Sequence, residues 1–313
     1  MEGANEELAR LGAKKILLQI PDGLRRKTDV IADALSPEVS VWGGTCYGAC
    51  DLPLDIGDND ALVHVGHTCL PDIEFDYDVV YLEGRSTAKL NISKDIYGAI
   101  DGKIALYSTV QHLDHMKEVS RIMEDRGYST IIGTGDPRIK YPGQLLGCNF
   151  SAGVEGADAH IYVGTGMFHA IGLSLSLEKE VLILDPITGE FNSTTEIADR
   201  MLRKRFAAIE SIKKSEKIGV IVSAKPGQRR IEIAESLCDS CKGKCTLLEF
   251  DEVEPALVDS FGWKGMVNTA CPRLALDDFI RFKTTVVTPV EFLIALEELD
   301  WSDWKVDEIE GTL

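Results

Sequence analysis

The sequence has little positive charge and no long hydrophobic run. Its 313 residues carry 33 lysines and arginines against 51 aspartates and glutamates, which gives a formal net charge of −18 at pH 7. Such a charge repels phosphate backbones and anionic lipids, so we expect neither direct nucleic-acid binding nor membrane association. The longest uncharged stretch, residues 159–177, is interrupted by glycines and two histidines. It therefore predicts a strand, loop and helix rather than a membrane span.

A secretory signal is also missing from the start of the sequence. Residues 1–7 have neither a basic start nor an apolar run, which predicts a cytoplasmic protein. Structural disulfides are disfavoured in that compartment, so the eight cysteines are expected to be reduced thiols or metal ligands. A hydrophobic fraction of 44% and a mean hydropathy of −0.02 indicate an ordinary globular chain.

One local pattern occurs three times: a lysine, a short apolar run, a polar or Gly/Pro turn, and a helix. The copies begin at Lys14, Lys103 and Lys217, and we interpret them as a weak internal triplication. Short apolar runs bounded by glycine or proline and alternating with helices predict parallel sheets covered on both faces. The predicted strands are 14–20, 39–42, 61–65, 79–82, 103–108, 130–133, 161–164, 181–184, 217–223, 246–250, 266–268 and 285–287.

The predicted fold is therefore α/β, with three similar modules of mainly parallel sheets flanked by helices and an active site where the modules converge. The predicted module ranges are 1–99, 100–213 and 214–313. A basic helix is predicted at 195–214, either as a solvated connection between two modules, which we favour, or as a landing site for an acidic partner or reductant. The acidic segment 300–313 is expected on the surface.

Each module places one cysteine after a predicted strand. Cys46, Cys148 and Cys271 follow strands of modules one, two and three, and ligands of parallel α/β sheets gather beyond the carboxyl ends of strands. Three thiolates around a [4Fe-4S] cluster would leave one iron open to bind a substrate. The cysteines are far apart in sequence, so they meet only if the modules converge. The alternative is that all three are small buried apolar residues.

Three motifs surround these cysteines in order: GGTCYGACD at 43–51, YPGQLLGCNF at 141–150 and NTACPRLALDD at 268–278. Together with PDGLRR at 21–26 and PGQRR at 226–230, they resemble the archaeal diphthamide synthesis proteins, which are 2-(3-amino-3-carboxypropyl)histidine synthases. The resemblance covers essentially the whole chain. Three motifs in the same order are more specific than any one of them.

The resemblance implies a homodimeric transferase with one [4Fe-4S] cluster per protomer, held by Cys46, Cys148 and Cys271. Enzymes of this family, which are noncanonical radical-SAM enzymes, cleave the sulfonium–Cγ bond of S-adenosylmethionine reductively, using an external electron donor. They transfer the 3-amino-3-carboxypropyl group to the imidazole C2 of a histidine in translation elongation factor 2. This transfer is the first step of diphthamide biosynthesis.

Other side chains are candidates for binding S-adenosylmethionine. Its carboxylate needs a cationic or amide partner, for which Arg229, Arg230 and Arg273 are candidates, although each could instead lie on the surface or at a helix end. Gln144 and His67 could line the same pocket, and for His67 a packing or hydrogen-bonding role is the alternative. The sequence assigns no residue a catalytic role in the chemical step.

The remaining cysteines permit other interpretations. Cys238, Cys241 and Cys245 have a spacing that could ligate zinc or an auxiliary cluster, but they follow a helix and include a Lys-Gly-Lys turn at 242–244 that we expect to face solvent. They could be spare thiols, a labile metal site or a redox relay. Cys50 could share a helical face with Cys46. Cys69 is expected to pack near the site.

Two further hypotheses about function stay open. The chain could be a noncatalytic subunit that carries a cluster for electron transfer or as a scaffold. It could also be a metal-free nucleotide-binding α/β protein, but the GTGD sequence at 133–136 lacks the full GxGxxG pattern and is followed by proline. The presence of one strand-end cysteine in every module favours the catalytic version.

Overall fold

The computed structural model describes residues 1–241 and 243–311; Lys242, Thr312 and Leu313 lie outside the described residues. Three sheets share one strand order, in which the first strand of each sheet lies between the second and the third. The fold class predicted from the sequence, α/β with three similar modules, is therefore confirmed. The exact module boundaries stay a prediction.

The first sheet has the order β2-β1-β3-β4, and all its neighbouring strands are parallel. Its central strands are buried because their apolar side chains pack against helices on one face and against loops on the other. Its strands and helices are α1 (Glu2–Leu11), β1 (Lys15–Gln19), α2 (Thr28–Asp33), β2 (Glu38–Val41), β3 (Ala61–Val65) and β4 (Asp78–Leu82).

The second sheet has the order β6-β5-β7-β8-β9. Its strands are parallel except β9, which pairs with β8 in the antiparallel sense and was not predicted. Its strands and helices are β5 (Lys103–Ser108), α3 (Leu113–Glu124), β6 (Ser129–Ile131), β7 (Ala159–Val163), α4 (Phe168–Leu177), β8 (Leu182–Leu184), β9 (Phe191–Ser193) and α5 (Thr195–Ile212).

The third sheet has the order β11-β10-β12-β13 and is parallel throughout. Its last helix begins with a capping box between Thr288 and Glu291, and Pro289 occupies the first helical position. Its strands and helices are β10 (Ile218–Ser223), α6 (Ile231–Ser240), β11 (Cys245–Phe250), α7 (Pro255–Ser260), β12 (Gly265–Asn268), α8 (Arg273–Leu276), β13 (Thr285–Val287) and α9 (Pro289–Ala295).

Helix α5 differs from the solvated connection that its basic sequence predicts. Ile209 and Ile212 are buried, and Ile212 belongs to the core beneath the third sheet. Arg205 is fully buried and forms an ion pair with the equally buried Glu291 of α9. The helix therefore joins the second and third modules through its packing, although Arg200, Arg203 and Lys204 do lie on its outer side.

None of the helices within residues 1–241 and 243–311 is both long enough and apolar enough to cross a bilayer. The apolar residues of 159–177 instead form β7 and α4, as the interrupted pattern predicts.

Candidate active site

A cavity of about 440 Å³ lies where the loops after the strands of all three sheets meet. Cys50, Cys148 and Cys271 all line it, one from each module. The prediction that Cys148 and Cys271 converge is met. Small-molecule sites have cavities of this size, so the junction can hold a ligand.

Cys46 does not join these two cysteines, contrary to the expectation from the sequence. It is 6% exposed and lies outside the cavity lining in the described part of the chain, whereas Cys50 lies in that lining. Residues 42–60 form a loop without a helical turn, so a spacing of four residues does not place two side chains on one face. The first-module cysteine at the junction is Cys50.

Asp51 holds this loop in place. Its carboxylate accepts a hydrogen bond from the backbone N–H of Tyr47 at 2.8 Å and forms an ion pair with Lys225, which follows β10. The carbonyl of Asp51 accepts a hydrogen bond from the side-chain amide of Gln19 at 2.6 Å. The loop that carries Cys50 is thus attached to both the first and the third sheets.

A chain of hydrogen bonds fixes the protonation of two histidines beside Cys46. The Gln19 amide nitrogen donates to backbone carbonyls, which leaves its Oε1 to accept from Nδ1 of His64 at 2.7 Å. Nε2 of His64 is then an acceptor, and Nδ1 of His67 donates to it at 2.9 Å. Nε2 of His67, a residue of the cavity lining, therefore carries a lone pair.

Burial keeps both histidines neutral. It lowers the pKa of His67 to about 4 and holds the pKa of His64 well below its ordinary value. The ligand atoms of Cys46, His64 and His67 lie within 4.8 Å of one another, a spacing that could suit a metal ion. The hydrogen bond between the two histidines already accounts for their proximity.

Gln144 lines the cavity, but both ends of its amide are engaged by protein. Its Nε2 donates to Thr68 Oγ1 at 2.8 Å, and its Oε1 accepts from the backbone N–H of Tyr141 at 3.2 Å. It joins the second module to the first. These two contacts give Gln144 a structural role, and its binding of a cofactor stays a prediction.

Arg230 is buried and is used to hold the loop before Cys271. Its guanidinium donates to the carbonyls of Thr269 and Ala270 and forms an ion pair with Asp307, which is 6% exposed. Arg229 lies at the surface and pairs with Glu249. Neither arginine lines the cavity formed by the described residues, so the structure gives no support to cofactor binding by Arg229 or Arg230.

Arg273 does line the cavity, as the sequence leads us to expect. It is half-exposed at the start of α8, pairs with Asp277 at 2.8 Å and lies over the Phe168 ring at 4.8 Å from its centroid. His169 lies in the same wall, and burial, with the charge of Arg273, lowers its pKa to about 4. Of the three candidate arginines, Arg273 alone reaches the cavity lining described here.

The predicted surface segment 300–313 lies on the surface only in part: residues 300–303 are exposed, whereas Val306 and Asp307 are buried, and Thr312 and Leu313 lie outside the described residues. The backbone N–H of Ile309 donates to the Cys148 carbonyl at 2.7 Å, and the Glu308 carboxylate accepts from the N–H of Phe150 at 2.6 Å. We call residues 304–311 the C-terminal strap. It joins the Cys148 loop to Arg230, and no local motif in the sequence marks Asp307 for this role.

The three thiols at the junction need a positive centre to ionise together. Burial raises the pKa of Cys50 to about 12 and also raises the pKa values of Cys148 and Cys271. The other two sulfurs raise the Cys271 pKa further, because like charges repel. A metal centre at these sulfurs would relieve the repulsion, so the donor set fits an iron–sulfur cluster with three protein ligands.

Cys238, Cys241 and Cys245 lie at the opposite end of the third sheet. Cys245 is the first residue of β11, which pairs with the start of β10, whereas Cys271 follows the carboxyl end of β12. Cys241 is buried rather than facing solvent and is joined to Cys245 by a disulfide, so the expectation that all eight cysteines are reduced thiols or metal ligands is wrong for this pair. Six-residue strands span about 20 Å, so this cluster is remote from the cavity.

Comparison with known proteins agrees with this arrangement. The family described as "Putative diphthamide synthesis protein" matches residues 20–305. This chain belongs to the diphthamide synthesis protein family. A relative from Pyrococcus horikoshii named 2-(3-amino-3-carboxypropyl)histidine synthase is 34% identical, over 98% of this chain and 92% of the relative. A Methanocaldococcus jannaschii relative of the same name is 28% identical, over 95% and 88%.

A solved structure supports the family's fold for this chain. The crystal structure of Dph2 from Pyrococcus horikoshii with a 4Fe-4S cluster has a TM-score of 0.91 and 33% sequence identity. The match covers 99% of this chain and 93% of that protein. The family resemblance read from the sequence motifs is therefore confirmed.

Proposed function

We propose that this protein is a 2-(3-amino-3-carboxypropyl)histidine synthase. It transfers the 3-amino-3-carboxypropyl group of S-adenosylmethionine to C2 of a histidine imidazole in translation elongation factor 2, the first step of diphthamide biosynthesis. The observation that carries the proposal is the convergence of Cys50, Cys148 and Cys271 on one cavity, in a family whose members bear this name.

The three cavity cysteines would hold a [4Fe-4S] cluster with one iron left open. When bound, the reduced cluster supplies the electron that breaks the sulfonium–Cγ bond. The protein's own contribution is to hold the sulfurs on three separate loops and to present one face of the site to the cavity. Cys50 replaces Cys46 in this ligand set.

The cavity provides partners for both charges of S-adenosylmethionine. Asp251, Glu252 and Glu254 lie in its wall and suit the ammonium and sulfonium groups, while Arg273 suits the carboxylate. Selectivity for one of the three C–S bonds then comes from how these contacts orient the sulfonium.

The adduct at the target imidazole C2 must lose one electron, which would return to the oxidised cluster, and one proton, which His67 is suited to receive. Its unprotonated Nε2 belongs to a residue of the cavity wall, and the Gln19–His64 pair holds its other nitrogen in the protonated form. The hydrogen bonds around His67 thus support proton transfer better than cofactor binding.

The partners follow from the same proposal. Elongation factor 2 is the protein substrate, an external donor supplies the electron, and the chain acts as a cytoplasmic homodimer. The external electron donor and the homodimer rest on the resemblance in sequence. No direct nucleic-acid or membrane partner is proposed, consistent with the formal charge of −18.

The decisive experiment is anaerobic incubation of the reduced protein with S-adenosylmethionine and the elongation factor, followed by mass analysis of the target peptide and the small product. Methylthioadenosine and a modified histidine are expected, whereas 5'-deoxyadenosine would contradict the proposed cleavage. Anaerobically purified protein should contain about four irons per chain. A chain that binds iron but modifies the factor only with a second subunit would instead support a noncatalytic cluster-bearing role.

The ligand set is tested by single substitutions. Cys50→Ala, Cys148→Ala and Cys271→Ala should each lose most of the bound iron, because two thiolates cannot hold the cluster stably. Cys46→Ala is the matched control from the same loop and should retain it. Full iron content in Cys50→Ala, with loss in Cys46→Ala, would restore Cys46 as the ligand.

A further inference from the structure

Arg138 is a buried cation between the three modules that the proposed reaction does not use. It lies in the loop after β6 and is 2% exposed. Its Nη1 pairs with Asp72 at 3.0 Å, and its Nη2 donates to the Gly227 carbonyl at 2.6 Å. One guanidinium from the second module thus holds a residue of the first and a residue of the third.

The same guanidinium lies beside Cys148, and through the Gly227 carbonyl it is also close to Cys50. Among the described residues, Nε of Arg138 is buried without a hydrogen-bond partner. The Nε–H donor of Arg138, beside the sulfurs, is therefore not used in the contacts between modules.

Arg138 also fixes the backbone that supports Cys50. The Gly227 carbonyl that it binds belongs to a residue packed so closely on Cys50 that an added Cβ would lie 2.7 Å from the Cys50 Cβ. The position of Cys50 therefore depends on the same guanidinium that lies beside Cys148.

A positive charge and N–H donors near the sulfurs favour the reduced state of an iron–sulfur cluster, because reduction adds a negative charge. Asp72 opposes this effect by partly neutralising the guanidinium. Both side chains are buried, so water screens neither charge strongly. The sign of each contribution to the reduction potential is thus fixed by the chemistry of the pair.

We propose that Arg138 is a positioning residue that raises the reduction potential of the cluster held by Cys50, Cys148 and Cys271, and that Asp72 moderates this effect. The inference rests on the proposed function, since it requires the cluster. It adds a residue outside the ligand set that makes the site easier to reduce.

The test is a redox titration of the anaerobically reconstituted protein, followed by electron paramagnetic resonance. Arg138→Gln removes the charge and should shift the midpoint potential to more negative values, and Arg138→Lys should shift it less in the same direction. Asp72→Asn leaves the cation uncompensated and should shift the midpoint to more positive values. A purely architectural role does not predict opposite signs for the two partners.

Arg229→Gln is the control, because it removes an exposed arginine two residues from Gly227 and should leave the midpoint unchanged. Iron content and thermal unfolding are measured for every variant. Unchanged midpoints in loaded Arg138 variants, or shifts of one sign in both partners, would overturn the proposal. So would loss of iron from all three variants in otherwise folded protein. Absence of iron from the wild type would instead refute the proposed function.

Discussion

The guanidinium of Arg230 meets the carboxylate of Asp307 through two parallel contacts of 2.7 and 2.8 Å, and both side chains are buried. The same guanidinium holds the carbonyls of Thr269 and Ala270, immediately before Cys271. Ile309 lies two residues beyond Asp307 in the same strap, and its backbone N–H donates to the carbonyl of Cys148. The strap therefore contacts a second cysteine loop. The contacts on either side of the cavity are thus linked through the C-terminal strap.

Asp307→Asn should destabilise the protein by about 3–5 kcal/mol, because it leaves the buried Arg230 without its counter-charge. Denaturant unfolding of the anaerobic apo-protein measures this loss, and iron content should fall as well. Arg229→Gln breaks a neighbouring but exposed pair and should cost at most about 1 kcal/mol. Equal losses in the two variants would show that the Asp307 pair does not stabilise the fold.

Gly227→Ala should displace Cys50, because the new methyl group would lie 2.7 Å from the Cys50 Cβ and 2.8 Å from its Cα. We expect a destabilisation of about 1–3 kcal/mol and reduced iron content. Gly43→Ala is the control, since an added Cβ there meets nothing within 4 Å. Iron content is measured after anaerobic reconstitution. Full loading in Gly227→Ala would show that this contact does not position the sulfur.

The stability of the apo-protein should depend on the histidines as pH falls. Burial holds the pKa of His64 well below its unfolded value of 6.5, and that of His67 at about 4. The unfolded chain therefore binds protons first, so their contribution is complete above about pH 6.5 and is lost as pH falls toward 4.

His64→Gln isolates this contribution, because the buried carboxyls of Asp307 and Glu308 have raised pKa values and act in the opposite sense. Urea unfolding at pH 7 and pH 5 should show a smaller loss of stability in the variant than in the wild type. An identical loss in both proteins would mean that His64 is not titrated on unfolding.

Replacing Cys238, Cys241 and Cys245 together with serine should leave iron content and turnover at the cavity largely intact, because these residues lie at the opposite end of the third sheet. Some stability should be lost, since Cys241 packs in the core. Activity is compared with the wild type at equal folded concentration. Complete loss of turnover in folded protein would give this cluster a functional role.

The sequence predicted the strands well because most of them are short apolar runs bounded by turn residues. All twelve predicted strands have a counterpart within two residues at each end. The additional strand β9 has the sequence Phe-Asn-Ser, with two exposed residues, so its hydrophobicity does not distinguish it from a loop. Its pairing with β8 depends on tertiary structure.

The site was less predictable because it depends on contacts between modules. Position after a strand identified Cys148 and Cys271, but in the first module it led to Cys46, whereas Cys50 of the same irregular loop lines the cavity. An acidic sequence similarly suggested a surface tail, whereas Asp307 finds its partner 77 residues away. The local sequence pattern around Asp307 contains no information about an ion pair with a residue so far away in the chain.

The strap has a consequence for how the protein is made. Its residues leave the ribosome after all three cysteines, and nascent modules fold in order from the first. The loops of Cys148 and Cys271 therefore lack their contacts with the C-terminal strap until residues 304–311 are synthesised. Iron insertion is expected to follow translation of this segment, so that a truncated or stalled polypeptide would not acquire a working metal centre.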